Sequence, residues 1–336
     1  MSGRPVSVFL GLFLLLLLGL VLSLAIGDVP LSLRQVLGAL GGSSDASVGE
    51  LARTLVWDVR FPRALLAVVV GMSLALAGAV MQSFFRNPMA DPYLVGVSAG
   101  AAFGAVSAIV FGFRLLGSAL AGVPLCAFAG ALGATWLVYL LSRRGGKVPI
   151  ATLLLTGIAV GALFTAVTSF LAISRQESAR VVLFWLMGSL AGARWSQVLS
   201  VAAYALVGTL VVMFYARDMD ALLLGEETAQ ELGVNVERTR AVLLAASSLM
   251  AAAAVAVTGL VGFVGLVVPH LVRLALGPRH ALLLPGSAVC GAALLVYADL
   301  LARSATGAEI PIGVVTAILG APFFLYLLAR QRPISL

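Results

Sequence analysis

The chain has 336 residues, of which 61% are hydrophobic and only 10% charged, with a formal net charge of +7 and a mean hydropathy of +1.11. One soluble core could not hide so much apolar surface, which excludes an ordinary soluble enzyme or binding module. A bilayer core is roughly 30 Å thick and a helix rises about 1.5 Å per residue, so about 20 uncharged residues make one crossing. Such runs recur along the sequence and exceed the about 10 residues of a barrel strand, so the expected fold is all-α: one polytopic transmembrane domain spanning residues 1–336.

The first run, 5 to 27, follows a single arginine and could be the apolar region of a signal peptide. It is longer than the about 7–15 residues of such a region and lacks a convincing A-x-A cleavage site, so a first transmembrane helix is expected. RFPR places Arg60 and Arg63 just before the second run, 64 to 85, where snorkelling at a helix end is the plain expectation. A polar corner precedes the third run, 92 to 113. Pro88 and Pro92 fix φ there and push Asn87 and Asp91 toward extended conformations, so the helix cannot continue across it. Gly96, Gly100 and Gly104 then recur every fourth residue, giving a face for close helix packing. The same stretch contains GVSAG, which fits G-x-S-x-G around Ser98. A nucleophile elbow needs a strand-to-helix turn, so catalysis is not expected in an all-helical chain.

The fourth run, 115 to 142, and the fifth, 148 to 174, flank RRGGKVP, which has neither the Ser/Thr nor the earlier Gly of a P-loop. ATP hydrolysis is therefore not expected in this chain. The fifth run carries Thr156, Thr165, Thr168 and Ser169 in otherwise apolar sequence, and such hydroxyls can simply bond their own helix. Between Arg180 and Arg194 the chain is too short to cross, and a short helix is expected at Val181 to Leu190. After the sixth run, 195 to 216, comes the longest hydrophilic segment, residues 217–240. Glu226 and Glu227 suit a helix N-terminus; Thr228, Ala229 and Leu232 follow at helical spacing, and Gly233 and Asn235 read as its stop. This predicts a short helix outside the membrane, either merely solvated or a docking surface for a cytoplasmic partner.

From Ala241 to Val272 there is no Asp, Glu, Lys or Arg. As one helix this run would reach about 48 Å, so an interruption is expected in TGLVGFVGLVVPH, where Gly259, Gly262 and Gly265 weaken the helix and Pro269 removes a donor. With the runs 281 to 298 and 310 to 329, ten transmembrane helices result, with short re-entrant or periplasmic helices between them. Ten crossings put 12 Lys/Arg on the N-terminal side and 9 on the other, which places both termini in the cytoplasm. Cys126 and Cys290 lie inside apolar runs and suggest neither a disulfide nor a metal site. His270 and His280, near helix ends beside Arg273 and Arg279, are expected to be interfacial. A secondary transporter would usually keep ionisable groups near mid-membrane, yet Asp91, Asp299 and Glu309 lie at run ends. A channel would need a filter or a charged ring, for which nothing definite is present.

Four segments, NPMADPYLVGVSAGAAFGA, LGEETAQELGVNVERTR, GFVGLVVPHLVR and EIPIGVVTAILGAPFFLYLL, occur in an order that resembles the permease subunits of ATP-binding-cassette importers for iron chelates, haem and cobalamin. The resemblance runs from about residue 55 to the C-terminus. It implies a homodimer with its pathway on the two-fold axis, two ATPase subunits below and a periplasmic binding protein above, in the lipid of a bacterial inner membrane. It implies no cofactor in this chain, ATP and Mg belonging to the partner ATPase, and no nucleic acid. The function expected is movement of a ferric siderophore or haem, with cobalamin as the alternative within the family and a secondary transporter as the rival class. By the same resemblance Gly225, Glu226, Glu227, Thr228, Ala229, Leu232 and Gly233 form a coupling helix seated in a cleft of the ATPase. The corner of Asn87, Pro88, Asp91 and Pro92 would resist deformation as force passes. Arg60, Arg63 and Arg303 would meet glutamates on the lobes of the binding protein. The fifth helix would line the pathway, with a gate near Ile150 and Ala151, hydroxyls at Thr156, Thr165, Thr168 and Ser169, and the short helix after it bordering the periplasmic mouth.

Overall fold

Apolar runs become helices in the order the sequence sets them out. The computed structural model describes residues 3–27, 29–41, 49–113, 115, 119–305 and 308–330. The helices are α1 (Gly3–Ala25), α2 (Leu33–Gly41), α3 (Glu50–Thr54), α4 (Phe61–Phe84), α5 (Val97–Phe111), α6 (Ala119–Ser142), α7 (Ile150–Ser174) and α8 (Gln176–Met187). They continue with α9 (Trp195–Phe214), α10 (Ala216–Leu223), α11 (Glu226–Glu231), α12 (Val236–Thr258), α13 (Val264–Leu276), α14 (His280–Ser304) and α15 (Ile312–Arg330). Among the described residues, 7 helical stretches are long and apolar enough to cross a bilayer, and α5, α13 and α15 are shorter apolar helices. The chain is a multi-pass membrane protein.

Three local expectations change. Arg60 and Arg63 do not precede a helix, because α3, a π turn at Leu55–Arg60 and α4 run on continuously from Glu50 to Phe84. The π turn sits just ahead of Pro62, whose ring displaces the carbonyl one turn back and whose missing N–H leaves it without a helical donor. The interruption after α12 falls at Gly259 (φ +72°) and Phe263 (φ +66°), while Pro269 lies inside α13. Proline is tolerated there because Gln82 Nε2 of α4 donates to the Leu266 carbonyl (3.0 Å) and reaches that of Gly265 (3.5 Å), the carbonyl Pro269 cannot serve. The short helix after α7 starts at Gln176 and stops at Gly188 (φ +72°), ahead of the predicted 181–190, with Glu177 in its first turn.

α4, α12 and α14 form the centre. The most apolar window of the α3–α4 stretch is 78% buried, against 17% for that of α7. Lipid offers no hydrophobic drive between helices, so close backbone approach must hold them together, and small residues mark each crossing. A Cβ on Gly71 would overlap the Gly291 carbonyl of α14; one on Gly78 would overlap Gly265 of α13. Gly100 and Gly104 meet Gly130 and Cys126 of α6 in the same way, as their spacing predicts, but Gly96 (φ +88°) instead turns the chain from the 3-10 segment Pro92–Val95 into α5. Because α4 and α14 run antiparallel, the bundle has one end marked by Arg63 and Asp299 and another marked by Ser83 and His280.

Candidate functional site: the two ends of the bundle

At the His280 end, α10 crosses the bundle with Met219 and Leu222 buried, and Gly225 (φ +126°) turns the chain into α11. Ala229 anchors α11 at 0% exposure, whereas Glu227, Gln230 and Glu231 face out beside Leu224 and Leu232, 67% and 63% exposed. Gly233 (φ +85°) ends it, and Val234 N–H donates to the Ala229 carbonyl (2.9 Å). Asn235 belongs to the next helix, not to this stop: its Oδ1 accepts from Arg238 N–H (3.1 Å) as the N-cap of α12. The result is a small acidic knob with an apolar tip.

Two side-chain ties fasten this knob to the core. Arg240 of α12 donates to Glu226 (2.6 Å), and that hydrogen bond chiefly holds the Glu226 carboxyl below its ordinary range. His280 is fully buried rather than interfacial: Nδ1 donates to Asp220 of α10 (2.6 Å), its backbone N–H donates to the same oxygen (3.0 Å), and Nε2 pairs with Ser83 Oγ at the end of α4. Residue types alone would suggest a hydrolase triad. Yet Ser83 is 4% exposed, lies within α4 and donates to the Ala79 carbonyl (3.0 Å), so the constellation is a clamp between α10, α14 and α4. Asp220 and His280 are 60 residues apart, and no sequence spacing signals their meeting.

The corner between α4 and α5 is built by its own side chains. Asn87 Oδ1 accepts from Met89 N–H (2.9 Å), Asp91 Oδ1 accepts from Tyr93 N–H (2.8 Å), and Asp91 is extended (φ −131°, ψ 147°), as the following proline requires. Pro88 is exposed and Pro92 buried. Burial pushes the Asp91 carboxyl up to about 6. Tyr93 donates to the Val261 carbonyl (2.8 Å) in the break between α12 and α13, and Gly157 lets the Leu94 carbonyl lie directly against α7. The corner therefore touches both the break and the fifth apolar helix.

At the opposite end the arginines turn inward. Arg60 is 5% exposed and donates to the carbonyls of Leu24 (2.8 Å), Ala25 (2.9 Å) and Val29. Arg63 pairs with Asp299 (2.8 Å) and Glu309 (2.7 Å), while Arg303 donates to Ser23 (2.7 Å) and Ile26 (2.9 Å) carbonyls and lies 3.5 Å from Asp299. None of the three snorkels outward: Asp299 and Glu309 hold Arg63, carbonyls at and just after the end of α1 hold Arg60, and Arg303 takes both kinds of partner. The Asp299 to Arg303 spacing of one helical turn was the available signal.

Along α7, Ile150 and Ala151 form the first turn at the His280 end, next to Val148, whose N–H donates to Glu237 (3.3 Å). Thr168 and Ser169 donate to the carbonyls of Phe164 (2.7 Å) and Thr165 (2.9 Å), the self-satisfied arrangement open to helical hydroxyls. Both nevertheless line a groove of about 490 Å³ with Gln176 and Leu183 of α8. Thr156 is partly buried, and Ala151, Leu155, Ile158, Thr165 and Ser169 share one uncovered stripe.

Comparison with known proteins places this architecture. Residues 15–330 match the FecCD transport family. The chain is 53% identical over 287 residues (85% of this chain, 76% of the relative) to the cobalamin import system permease protein of Halobacterium salinarum. It is 42% identical over 341 residues (99% and 98%) to the hemin transport system permease protein of Yersinia pestis. A solved metal-chelate type ABC transporter in an inward-facing conformation superposes with a TM-score of 0.86 at 35% identity, covering 97% of this chain and 100% of that one. The chain belongs to the FecCD transport family.

Proposed function

We propose that the chain is the permease subunit of an ATP-driven importer that moves a metal chelate, a ferric siderophore or haem, across the inner membrane. The observation that carries this is α11, a short helix held outside the apolar bundle and tied through α10 and α12 to its central helices. A rigid projection clamped to three long helices is what a separate ATPase needs in order to move them. In this reading the 7 long and three shorter apolar helices make ten crossings, both termini are cytoplasmic, and two copies put their α7 stripes on a shared axis. ATP and Mg act in the partner subunits.

The corner of Asn87, Pro88, Asp91 and Pro92 then passes motion to α7, and Ile150 and Ala151 gate the pathway. The binding protein docks at the Arg63 end. There Arg60, Arg63 and Arg303 order the segment after α1 and the start of α15, so that their contribution to docking is to hold a shaped surface. Cobalamin is the second reading, favoured by the 53% identity to a cobalamin permease. The hemin permease matches over nearly the whole chain.

The test is transport by the chain reconstituted with its ATPase and binding protein. Glu226→Lys with Glu227→Lys should abolish coupled uptake, and Glu227→Lys with Leu232→Asp, which leaves the Arg240 tie intact, should do the same with the permease folded. Normal uptake by both would overturn the assignment. Comparing uptake of labelled haem, ferric siderophore and cobalamin decides the substrate.

A further inference from the structure

A groove of about 600 Å³ lies between α6, α9 and α12, within the roughly 300–1,000 Å³ of ligand sites. Trp136 and Tyr139 form one wall, Val207 and Val211 a second, and Ala241 and Ala245 a third. Gly208 lets α9 lie against Met250 of α12 at its floor. Among the described residues nothing covers it: Trp136 is 64% and Val207 52% exposed. The hydroxyl of Thr135 is already bonded to the Ala131 carbonyl (3.1 Å) and that of Ser248 is buried beneath the surface of the groove, so the lining offers an occupant almost only hydrocarbon. The groove shares no residue with α7 or α11.

Its mouth at the His280 end is different in kind. Arg143 and Arg144 follow directly on α6, Arg143 four residues beyond Tyr139. Arg238 precedes Ala241 and Val242, both lining residues, by three and four positions, so it stands on the groove face of α12. All three arginines are exposed, and among the described residues none of them is in an ion pair. The neighbouring carboxylates have other donors: Glu237 accepts from Val148 N–H (3.3 Å) and Asp218 from Thr239 (3.4 Å). An apolar slot within the bilayer, topped by uncompensated guanidiniums at its surface, matches one chemistry: acyl chains below a phosphate.

We propose that this groove is a binding site for an anionic phospholipid, its chain along Trp136, Val207 and Ala245 and its phosphate on Arg143, Arg144 and Arg238. The site holds whichever side of the membrane that end faces. It also stands apart from the ATPase reading, since neither partner protein is needed to test it.

The experiment uses the chain alone in phosphatidylcholine nanodiscs carrying an equal fraction of bromine-labelled phosphatidylglycerol or bromine-labelled phosphatidylcholine. Bromine quenches nearby indoles, and subtracting the signal of Trp136→Phe isolates Trp136 from the other three of the 4 tryptophans. Labelled phosphatidylglycerol should reach Trp136 with at least roughly a five- to tenfold preference, the selectivity that about 1 kcal/mol, one cation's share, already supplies. The triple change Arg143→Gln, Arg144→Gln, Arg238→Gln should bring that preference close to one. Ala245→Phe, which fills the slot, should remove quenching by both lipids while circular dichroism stays unchanged. Equal quenching in the wild type, a preference that survives the triple change, or displacement of the lipid by soluble glycerophosphate would each overturn the proposal.

Discussion

Both ends of the bundle carry basic residues, and what holds the inward-turned ones differs between them. At the Arg63 end Arg60, Arg63 and Arg303 are drawn into the protein by Asp299, Glu309 and the carbonyls that end α1, while Arg34, Arg53, Arg175, Arg180 and Arg194 are exposed. At the His280 end Arg143, Arg144, Arg217 and Arg238 stay in solvent, while the inward ties there are made by His280, Arg240 and Arg273. What separates the ends is the placement of carboxylates. Asp299 is 1% exposed and sits between Arg63 and Arg303; Glu227 and Glu231 lie on an outward face of a helix only six residues long. A count of charges per side gives orientation, but whether a cation is structural or presented depends on the acid within a few ångströms of it.

The sharpest way to break this contrast is to remove the shared carboxylate. Asp299→Ala would leave Arg63 and Arg303 buried without their common partner and should cost about 3–5 kcal/mol, read as a large fall in thermal midpoint in detergent. Next comes the corner. The raised value of Asp91, from 3.8 to about 6, means the folded state prefers the neutral acid. That stabilisation is complete below about pH 4 and lost as pH rises through about 6. Asp91→Asn, which keeps the acceptor for Tyr93 N–H, should therefore match the wild type near pH 4 and become the more stable by up to about 3 kcal/mol near pH 8, at about 1.4 kcal/mol per unit. A thermal-shift series across pH decides it, and a pH-independent difference would refute it.

Smaller effects are expected further out. Ser83→Ala removes one partner of the His280 clamp and should lower stability by about 1–3 kcal/mol through the buried imidazole nitrogen left alone. Arg217→Gln, an exposed cation of the same end, should change stability by less than about 0.5 kcal/mol. If Arg217→Gln proved as damaging as Ser83→Ala, the distinction between presented and structural cations at that end would fail.

Much of the fold could be read from apolar runs and punctuation. The helical class, the corner at Asn87–Pro92, the break after α12 and the short acidic helix all follow from local chemistry: two prolines, a glycine cluster in an overlong run, and two glutamates at a helix start. What the sequence hid was distance. Nothing about Pro269 announces that Gln82, far upstream, supplies the missing donor, so proline seemed a place to end a helix. Likewise α4 and α7 are both long and apolar, and only the meeting of Gly71 with Gly291 and of Gly78 with Gly265 makes the first central. In the candidate site the elements of α11 were legible because they are contiguous; its fastenings through His280 and Arg240 were not, because pairing across 60 residues leaves no periodicity.

One consequence of the Gln82 bridge concerns where the molecule can flex. Its amide donates to the Leu266 carbonyl and reaches that of Gly265, which Pro269 leaves without a helical donor, and Arg273 Nη1 in turn fixes that amide through Oε1 (2.8 Å). Sliding α13 along α4 by even one residue would strand the Gly265 oxygen in hydrocarbon, where an unsatisfied group costs several kcal/mol. The two helices are thus pinned in register like cog and rack with the teeth locked. Any rocking of α13 must carry α4 with it, and the compliant joint is left to the five residues Gly259 to Phe263, where two positive φ angles already hold the chain out of helix.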